Sequence, residues 1–245
     1  MSEPEHLLMV EGISCHFGGL AALSDVSVRA AQGRITGVIG PNGAGKTTLF
    51  NVVSGALRPT KGRVLFKGQR IDGRKPHQIA RLGLARTFQI PQAFPTLTVG
   101  QTLRLALRHS TTGNKRYGDE SDIAELVGLT DKLDALPSEI TAADLHALEV
   151  AKVLAVAAEL ILLDEVFAGL TPTEIDRMVA LIRQVRARGT TVLMIEHRMR
   201  AVMALCEEVY VLVFGRLIAS GTPAEVTRHP EVVQAYLGSK ARRDA

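Results

Sequence analysis

Glycines, a lysine and two threonines stand close together in the stretch "GPNGAGKTT", which fits the pattern G-x-x-x-x-G-K-[ST]. The glycines let the backbone curl, so that successive N–H groups point inward at phosphate oxygens. Lys46 supplies a positive charge for the β- and γ-phosphates, and the hydroxyl of Thr47 suits Mg²⁺. The stretch consists of Gly40, Pro41, Asn42, Gly43, Ala44, Gly45, Lys46, Thr47 and Thr48. It predicts a loop that binds the phosphates of a nucleotide.

Two acidic residues end a second stretch, the apolar "LILLDE", which runs from Leu160 to Glu165. A strand of this kind, buried on both faces, delivers Asp164 to a magnesium ion at its carboxyl end. Glu165, one residue later, is placed to accept a proton from an attacking water. The alternative is a pair of acids that only opens a surface loop, and the phosphate loop upstream argues against it.

A histidine and a glutamine occupy two further positions suited to catalysis. His197 follows a predicted strand, Thr191–Ile195, and its imidazole can hydrogen-bond a γ-phosphate or the attacking water. Gln89 begins the predicted helical middle of the chain, and its neutral amide can ligate Mg²⁺ or water. Together with the phosphate loop, these side chains predict hydrolysis of a nucleotide.

Strands and helices alternate around these residues. Arg34–Ile39 is predicted to be the strand before the phosphate loop, and Thr47–Ser54 the helix after it. The alternation resumes at Leu160 and predicts a parallel α/β sheet with right-handed crossovers. The strands before residue 34 look antiparallel and separate, and the chain from Ile79 to Ala158 is predicted to be mostly helical.

Composition excludes several classes of protein. The chain has 245 residues, of which 46% are hydrophobic and 22% charged, as expected for one large domain or one domain with a subdomain. No apolar run approaches the ~20 residues that span a bilayer, and the acidic N-terminus does not resemble a signal peptide. Cys15 and Cys206 indicate a reduced, cytoplasmic compartment. The net charge of +4 is carried by scattered basic residues, so we expect no binding to nucleic acid.

The order of these motifs resembles that of ATP-binding subunits of ABC transporters across nearly the whole chain. The phosphate loop, Gln89, a helical stretch, the Asp-Glu strand, "AGLTP" and His197 follow one another as they do in that family. The stretches "HFGGLAALSDVSV", "IARLGLARTFQ", "IEHRMRAVM" and "GTPAEVTRHPEVVQAYLG" are similar to the LivG-type subunits of branched-chain amino acid importers.

The resemblance implies a fold and a set of site residues. The implied fold is an α/β P-loop NTPase (RecA-like) core with an N-terminal antiparallel β subdomain and an inserted α-helical subdomain. The implied bounds are a single domain over 1–245, a helical subdomain over 88–158 and a C-terminal helical extension over 222–245. The implied site residues are Phe17, stacked on adenine; Lys46 and Thr48, on phosphates; Thr47, Gln89 and Asp164, around Mg²⁺; and Lys46, Gln89, Glu165 and His197, in catalysis, with Glu165 as general base.

In that family each ATP touches the phosphate loop of one subunit and a signature motif of the other. The signature falls here at "ITAADLHALEVAK", where Thr141 keeps the hydroxyl, Asp144 keeps the acid, and Ala142 and Ala143 replace the family residues between them. Thr141 and Asp144 also predict a capped helix start. Alanine in place of glycine would cost about 1–2 kcal/mol if position 143 needed a positive φ. We therefore expect a degenerate signature that weakens the ATP site completed in trans.

The resemblance also implies partners and a location. They are a second ATP-binding subunit, arranged head to tail as a heterodimer, and membrane permease subunits that contact the helical subdomain and the Gln-loop from Gln89 to Thr98. An extracytoplasmic solute-binding protein would act indirectly. The chain would lie peripherally on the cytoplasmic face of the plasma membrane. Because specificity in such importers belongs to other subunits, related solutes such as amides, urea or aromatic compounds stay open.

Three other classes of protein share single features with this sequence. A signalling GTPase needs the motif N-K-x-D, and "NKRYGD" has Tyr117 where the aspartate should be. A soluble ABC protein of repair or translation usually carries two cassettes, coiled coils or zinc modules. A nucleotide-binding regulator with little turnover is supported only by the altered signature.

Overall fold

The fold is built on two β-sheets, and the computed structural model describes residues 6–110 and 116–241, with side chains as far as residue 236. The strands are β1 (His6–Phe17), β2 (Leu20–Ala31), β3 (Ile35–Ile39), β4 (Lys61–Phe66), β5 (Gln69–Arg70), β6 (Leu84–Arg86), β7 (Leu160–Asp164), β8 (Thr191–Ile195), β9 (Glu208–Val213) and β10 (Arg216–Gly221). The α-helices are α1 (Lys46–Val53), α2 (Pro76–Arg81), α3 (Val99–Arg108), α4 (Glu120–Val127), α5 (Ala142–Ala155), α6 (Pro172–Ala187), α7 (Met199–Leu205), α8 (Pro223–Val226) and α9 (Pro230–Ala241).

The first sheet is antiparallel, in the order β2-β1-β4-β5. Val26, Val28 and Ala30 of β2 are buried and alternate with exposed residues, as expected for a strand with one face on a core. The predicted N-terminal antiparallel β subdomain is confirmed.

The second sheet has the order β10-β9-β3-β8-β7-β6, and its strands are parallel except for β10, which forms a hairpin with β9. Every residue of β3, β7 and β8 is buried, because the sheet is covered on both faces. Leu160 and Leu162 of β7 pack in one core with the first sheet, whereas Ile161 and Leu163 pack in the other with the helices. The predicted parallel α/β core is confirmed.

One prediction is wrong within the segment from Ile79 to Ala158. Leu84–Arg86 is not helical but forms β6, an edge strand that runs parallel to β7, with Arg86 opposite Leu162. Three residues are too few to show the alternation that predicts a strand, and the pairing with β7 lies more than 70 positions away in sequence. This strand sets the direction of the chain that leads into Gln89.

Helices α3, α4 and α5 form the inserted helical layer between β6 and β7. Leu103, Ile123 and Leu148, one from each helix, share a core with Leu163 of β7. Residues 111–115 of the predicted polar loop, residues 1–5 of the predicted N-terminus and residues 242–245 of the predicted C-terminal extension lie outside the described part of the chain. Within residues 6–110 and 116–241, no helix is both long enough and apolar enough to cross a bilayer.

Candidate active site

The phosphate loop joins β3 to α1 at the carboxyl edge of the parallel sheet. Gly40, Gly43 and Gly45 have φ of +153°, +78° and +101°, which L side chains rarely adopt. A Cβ on Gly40 would lie 2.0 Å from the carbonyl oxygen of Leu212, whereas one on Gly43 would meet nothing within 4 Å. The loop is therefore tight against β9 on one side and open on the other, where its backbone can receive an anion.

Lys46 is the first residue of α1 and lies across the loop. Its ammonium is buried and donates hydrogen bonds to the carbonyl oxygens of Gly40, at 2.8 Å, and Pro41, at 3.0 Å. Burial lowers the pKa of Lys46, and the carboxylates of Glu165, Asp164 and Glu196 oppose that shift. The loop thus holds the lysine in place before any phosphate arrives.

An open cleft of about 1230 Å³ lies over the loop. Its lining includes the predicted site residues Gly40, Pro41, Asn42, Gly43, Lys46, Thr47, Gln89, Glu165 and His197. The predicted residues Phe17, Ala44, Gly45, Thr48 and Asp164 are not among its lining residues. Phe17 ends β1, outside this lining, and is 51% exposed.

Glu165, Gln89 and His197 meet at the mouth of this cleft. Gln89 Nε2 donates a hydrogen bond of 2.9 Å to Glu165 Oε2, and His197 Nδ1 lies 3.8 Å from the same oxygen. Glu165 has φ +50°, a left-handed conformation that costs on the order of 1–3 kcal/mol in residues other than glycine. That turn follows β7 directly and aims the carboxylate into the cleft.

Arg86, a residue for which no role was predicted, pairs with Asp164. Arg86 Nη2 lies 2.7 Å from Asp164 Oδ2, and both side chains are almost completely buried. Nη1 of the same guanidinium donates to Asn51 Oδ1 on α1 at 2.7 Å and to the hydroxyl of Ser54, the C-cap of that helix, at 3.3 Å. Arg86 therefore links the Asp-Glu strand to the helix that follows the phosphate loop.

The donor set fits a magnesium ion bound together with nucleotide phosphates. Thr47 and Gln89 line the cleft, and the carboxylate of Asp164 is buried next to the phosphate-loop helix through its pair with Arg86. Such hard oxygen donors are the ones that Mg²⁺ prefers, with phosphates and waters completing its octahedron.

Glu196 is a second residue that sequence reasoning missed. Its carboxylate is 1% exposed and accepts hydrogen bonds from the N–H groups of Phe167, at 3.3 Å, His197, at 3.1 Å, and Arg198, at 3.3 Å. Burial raises the pKa of Glu196, although these bonds lower it. The side chain ties the turn that carries Glu165 to the turn that carries His197. The only signal in the sequence is an acid directly after an apolar strand.

The predicted signature forms the start of α5. Thr141 is the N-cap, and its hydroxyl donates to Asp144 Oδ2 at 2.8 Å while accepting from the Asp144 N–H at 3.2 Å. Lys132 pairs with the same carboxylate at 2.7 Å. Ala142 and Ala143 lie in the first turn without a positive φ, so a methyl group at position 143 causes no backbone strain. Residues 141–144 are not among those that line the cleft.

Sequence comparisons with known proteins show the family of the chain. A family model described as ABC transporter matches residues 23–168, and one described as branched-chain amino acid ATP-binding cassette transporter matches residues 216–242. The high-affinity branched-chain amino acid transport ATP-binding protein LivG of Escherichia coli K12 is 36% identical, over 97% of this chain and 99% of its own length. A probable LivG of Archaeoglobus fulgidus is 35% identical over 96% of both chains.

The fold likewise matches a solved protein. The crystal structure of a nucleotide-free ATP-binding cassette from an ABC transporter superposes with a TM-score of 0.84 at 30% identity, and the match covers 95% of this chain and 99% of that one. The chain belongs to the ATP-binding cassette family of ATPases, in the branch of the LivG-type subunits.

Proposed function

We propose that this chain binds ATP in the cleft over the phosphate loop and hydrolyses it to power the import of branched-chain or related amino acids. The observation that carries the proposal is the 2.9 Å hydrogen bond between Gln89 and Glu165 in a cleft also lined by Lys46 and His197. A charge-balancing lysine, a carboxylate and an imidazole around one space suit attack of water on a γ-phosphate.

Each side chain has one task in this scheme. Lys46, held over the loop, binds β- and γ-phosphate oxygens when the nucleotide replaces its carbonyl partners. Glu165 orients the attacking water and accepts its proton, and His197 stabilises charge as the γ-phosphate leaves. The amide of Gln89 donates a hydrogen bond to the carboxylate of Glu165 and so links the general base to the Gln-loop. Bound Mg²⁺, near Thr47, Gln89 and Asp164, would neutralise charge on the phosphates.

The Gln-loop offers a surface for membrane permease subunits. Ile90 and Phe94 in this loop and Phe88 directly before it are 73%, 48% and 50% exposed, although apolar side chains of this size are usually buried. Docking of a permease there would place the chain at the cytoplasmic face of the membrane, with a solute-binding protein on the other side. The solute is inferred from the relatives, since its specificity belongs to those other subunits.

We also propose a heterodimer with a weakened trans site, and the start of α5 supports the second part of this proposal. The hydroxyl of Thr141 is already committed to Asp144, and Ala143 places a methyl group where the family has no side chain. The N–H groups of the helix start remain available to an anion. We therefore propose that this chain completes its partner's ATP site less effectively than an intact signature would.

The test is Glu165→Gln in the full chain, with Glu120→Gln as the matched control because Glu120 lies on α4 in a surface ion pair with Arg104. The first variant should keep ATP binding and lose ATP hydrolysis by about 100-fold or more, whereas the control should keep both. Leucine uptake by the source cell should fall when the chromosomal copy carries Glu165→Gln. Unchanged hydrolysis in the variant, or ATP binding without hydrolysis by the wild-type chain, contradicts the proposal, and the latter outcome favours a regulator with little turnover.

A further inference from the structure

The main chain of Gln92 is held on both sides by helix α5. Its N–H donates to Glu149 Oε1 at 2.7 Å, and its carbonyl oxygen accepts from Lys152 Nζ at 2.7 Å. Glu149 and Lys152 also pair with each other, three residues apart on the same helix. Two opposite charges on α5 thus hold both main-chain polar groups of one residue in the Gln-loop. We refer to Glu149 and Lys152 as the clamp.

The burial of the clamp shows that it is more than a surface contact. The side chain of Glu149 is 3% exposed and that of Lys152 is 18% exposed. A buried ion pair is a poor source of stability, because desolvation offsets most of its attraction, and such pairs are best explained by the geometry that they impose. Here that geometry is the position of a loop that has no regular secondary structure between residues 89 and 98.

The clamp lies between the residues of the cleft and the signature at the start of α5. Three residues before Gln92, the side chain of Gln89 bonds to Glu165 in the cleft. About two helical turns before Glu149, α5 begins at Ala142, directly after its N-cap Thr141 in the signature. Since an α-helix is stiff over this length, a shift of the loop at Gln92 moves the beginning of α5 with it.

We propose that Glu149 and Lys152 are positioning residues that make the Gln-loop and α5 move as one body. Nucleotide at Lys46 and Gln89 displaces the loop, and the clamp converts this displacement into a new position of the helix start that faces the partner subunit. The inference rests on the proposed function, since it needs nucleotide in the cleft. The side chains of Glu149 and Lys152 transmit the movement. The side chain of Gln92 takes no part in it, because both hydrogen bonds are made to the backbone of Gln92.

This last point supplies a matched control. Gln92→Ala removes a side chain in the loop but leaves the N–H and carbonyl that the clamp grips. Glu149→Gln and Lys152→Met remove one charge each, and Lys152→Arg keeps a cationic donor. None of these substitutions touches a residue that lines the cleft.

Hydrogen exchange of the full chain tests whether the clamp holds the loop. In Glu149→Gln and Lys152→Met, the amide of Gln92 should exchange about tenfold faster or more, because a charge-assisted bond restrains it in the wild type. Gln92→Ala and Lys152→Arg should exchange as the wild type does. Equal exchange in all variants overturns the inference.

Spin labels test whether the movement is transmitted. Glu125→Cys on α4 and Gln184→Cys on α6 place labels on exposed sites of the helical layer and the core, and the native Cys15 and Cys206 are buried. A non-hydrolysable ATP analogue with Mg²⁺ should shift the distance between the labels in the wild type, Gln92→Ala and Lys152→Arg. In Glu149→Gln and Lys152→Met the analogue should bind within about twofold of wild-type affinity, yet the shift should be lost.

The outcomes separate the two proposals. A wild-type chain that does not bind the analogue contradicts the proposed function. A chain that binds it but shows the same shift with and without the clamp, or no shift at all, overturns the clamp and leaves the proposed function standing.

Discussion

Arg86 and Asp164 form a buried ion pair with 2.7 Å between Nη2 and Oδ2. Asp164 is the carboxylate that the family resemblance assigns to Mg²⁺. The guanidinium of Arg86 therefore lies directly beside the proposed metal ligand. The pair also fixes β6 to β7 at the point where the chain turns towards Gln89.

Removing one member of this pair should destabilise the fold strongly. Arg86→Met leaves the carboxylate of Asp164 buried without its partner, and we expect the free energy of unfolding to fall by about 3–5 kcal/mol. Adding Asp164→Asn to that variant should recover part of the loss, since no buried charge remains. Urea unfolding of the wild type, Arg86→Met, Asp164→Asn and the double variant measures the coupling energy of the pair. If the two substitutions have strictly additive effects on the free energy of unfolding, the two side chains do not stabilise the fold through each other.

Glu196 should make stability depend on pH in a defined direction. Burial raises the pKa of its carboxyl in the folded state above the ordinary value of 4.5, so the folded chain keeps a proton that the unfolded chain releases. This contribution is fully present below pH 4.5 and is lost as pH rises through the raised pKa. Urea unfolding at a series of pH values should show this decline in the wild type and a smaller one in Glu196→Gln. Parallel curves for the two proteins would refute the assignment.

Two glycines of the phosphate loop should respond differently to the same substitution. Gly40→Ala places a Cβ 2.0 Å from the Leu212 carbonyl, and we expect a loss of at least about 4 kcal/mol or no folded protein. Gly43→Ala meets no neighbour and should cost only the ~1–2 kcal/mol of a positive φ. Thermal unfolding distinguishes the two variants. Equal losses of stability would contradict the explanation that glycine is needed at position 40 because the loop lies so close to β9.

Ala143→Gly should strengthen the site that α5 completes in trans. Because Ala143 is unstrained, the expected gain comes only from removing its methyl group, and we expect about fivefold faster ATP hydrolysis by the assembled pair, equivalent to ~1 kcal/mol in the barrier. Ala147→Gly, in the same helix but farther from its start, carries the same cost in helix propensity and should give no gain. A rate that does not rise with Ala143→Gly contradicts the proposed impairment.

Local patterns predicted most of the fold and about half of the residues that line the cleft. The phosphate loop, the strand before Asp164 and the strand before His197 each carry their signal within ten residues, through glycine spacing or a run of apolar side chains. The capped start of α5 is equally local, since Thr141 and Asp144 are three residues apart. These elements lie where the sequence placed them.

What escaped prediction depends on partners that are distant in sequence. Arg86 meets Asp164 across 78 positions, and Glu149 meets Gln92 across 57. β6 exists only because β7 pairs with it. A single buried charge gives no periodic signal, so nothing in the sequence distinguishes Arg86 or Glu149 from the charged residues of the surface.

The hairpin of β9 and β10 has a consequence for how the chain is made. The N–H of Gly215 donates to the carbonyl of Ala44 at 2.9 Å, and Gly40 packs against the backbone of Leu212. The phosphate loop, although it is translated early, therefore lacks one of its walls until the chain has been translated past residue 215. A chain truncated before residue 212 would carry the whole nucleotide motif in its sequence but would lack the backbone of Leu212 and Gly215 against which the folded loop packs.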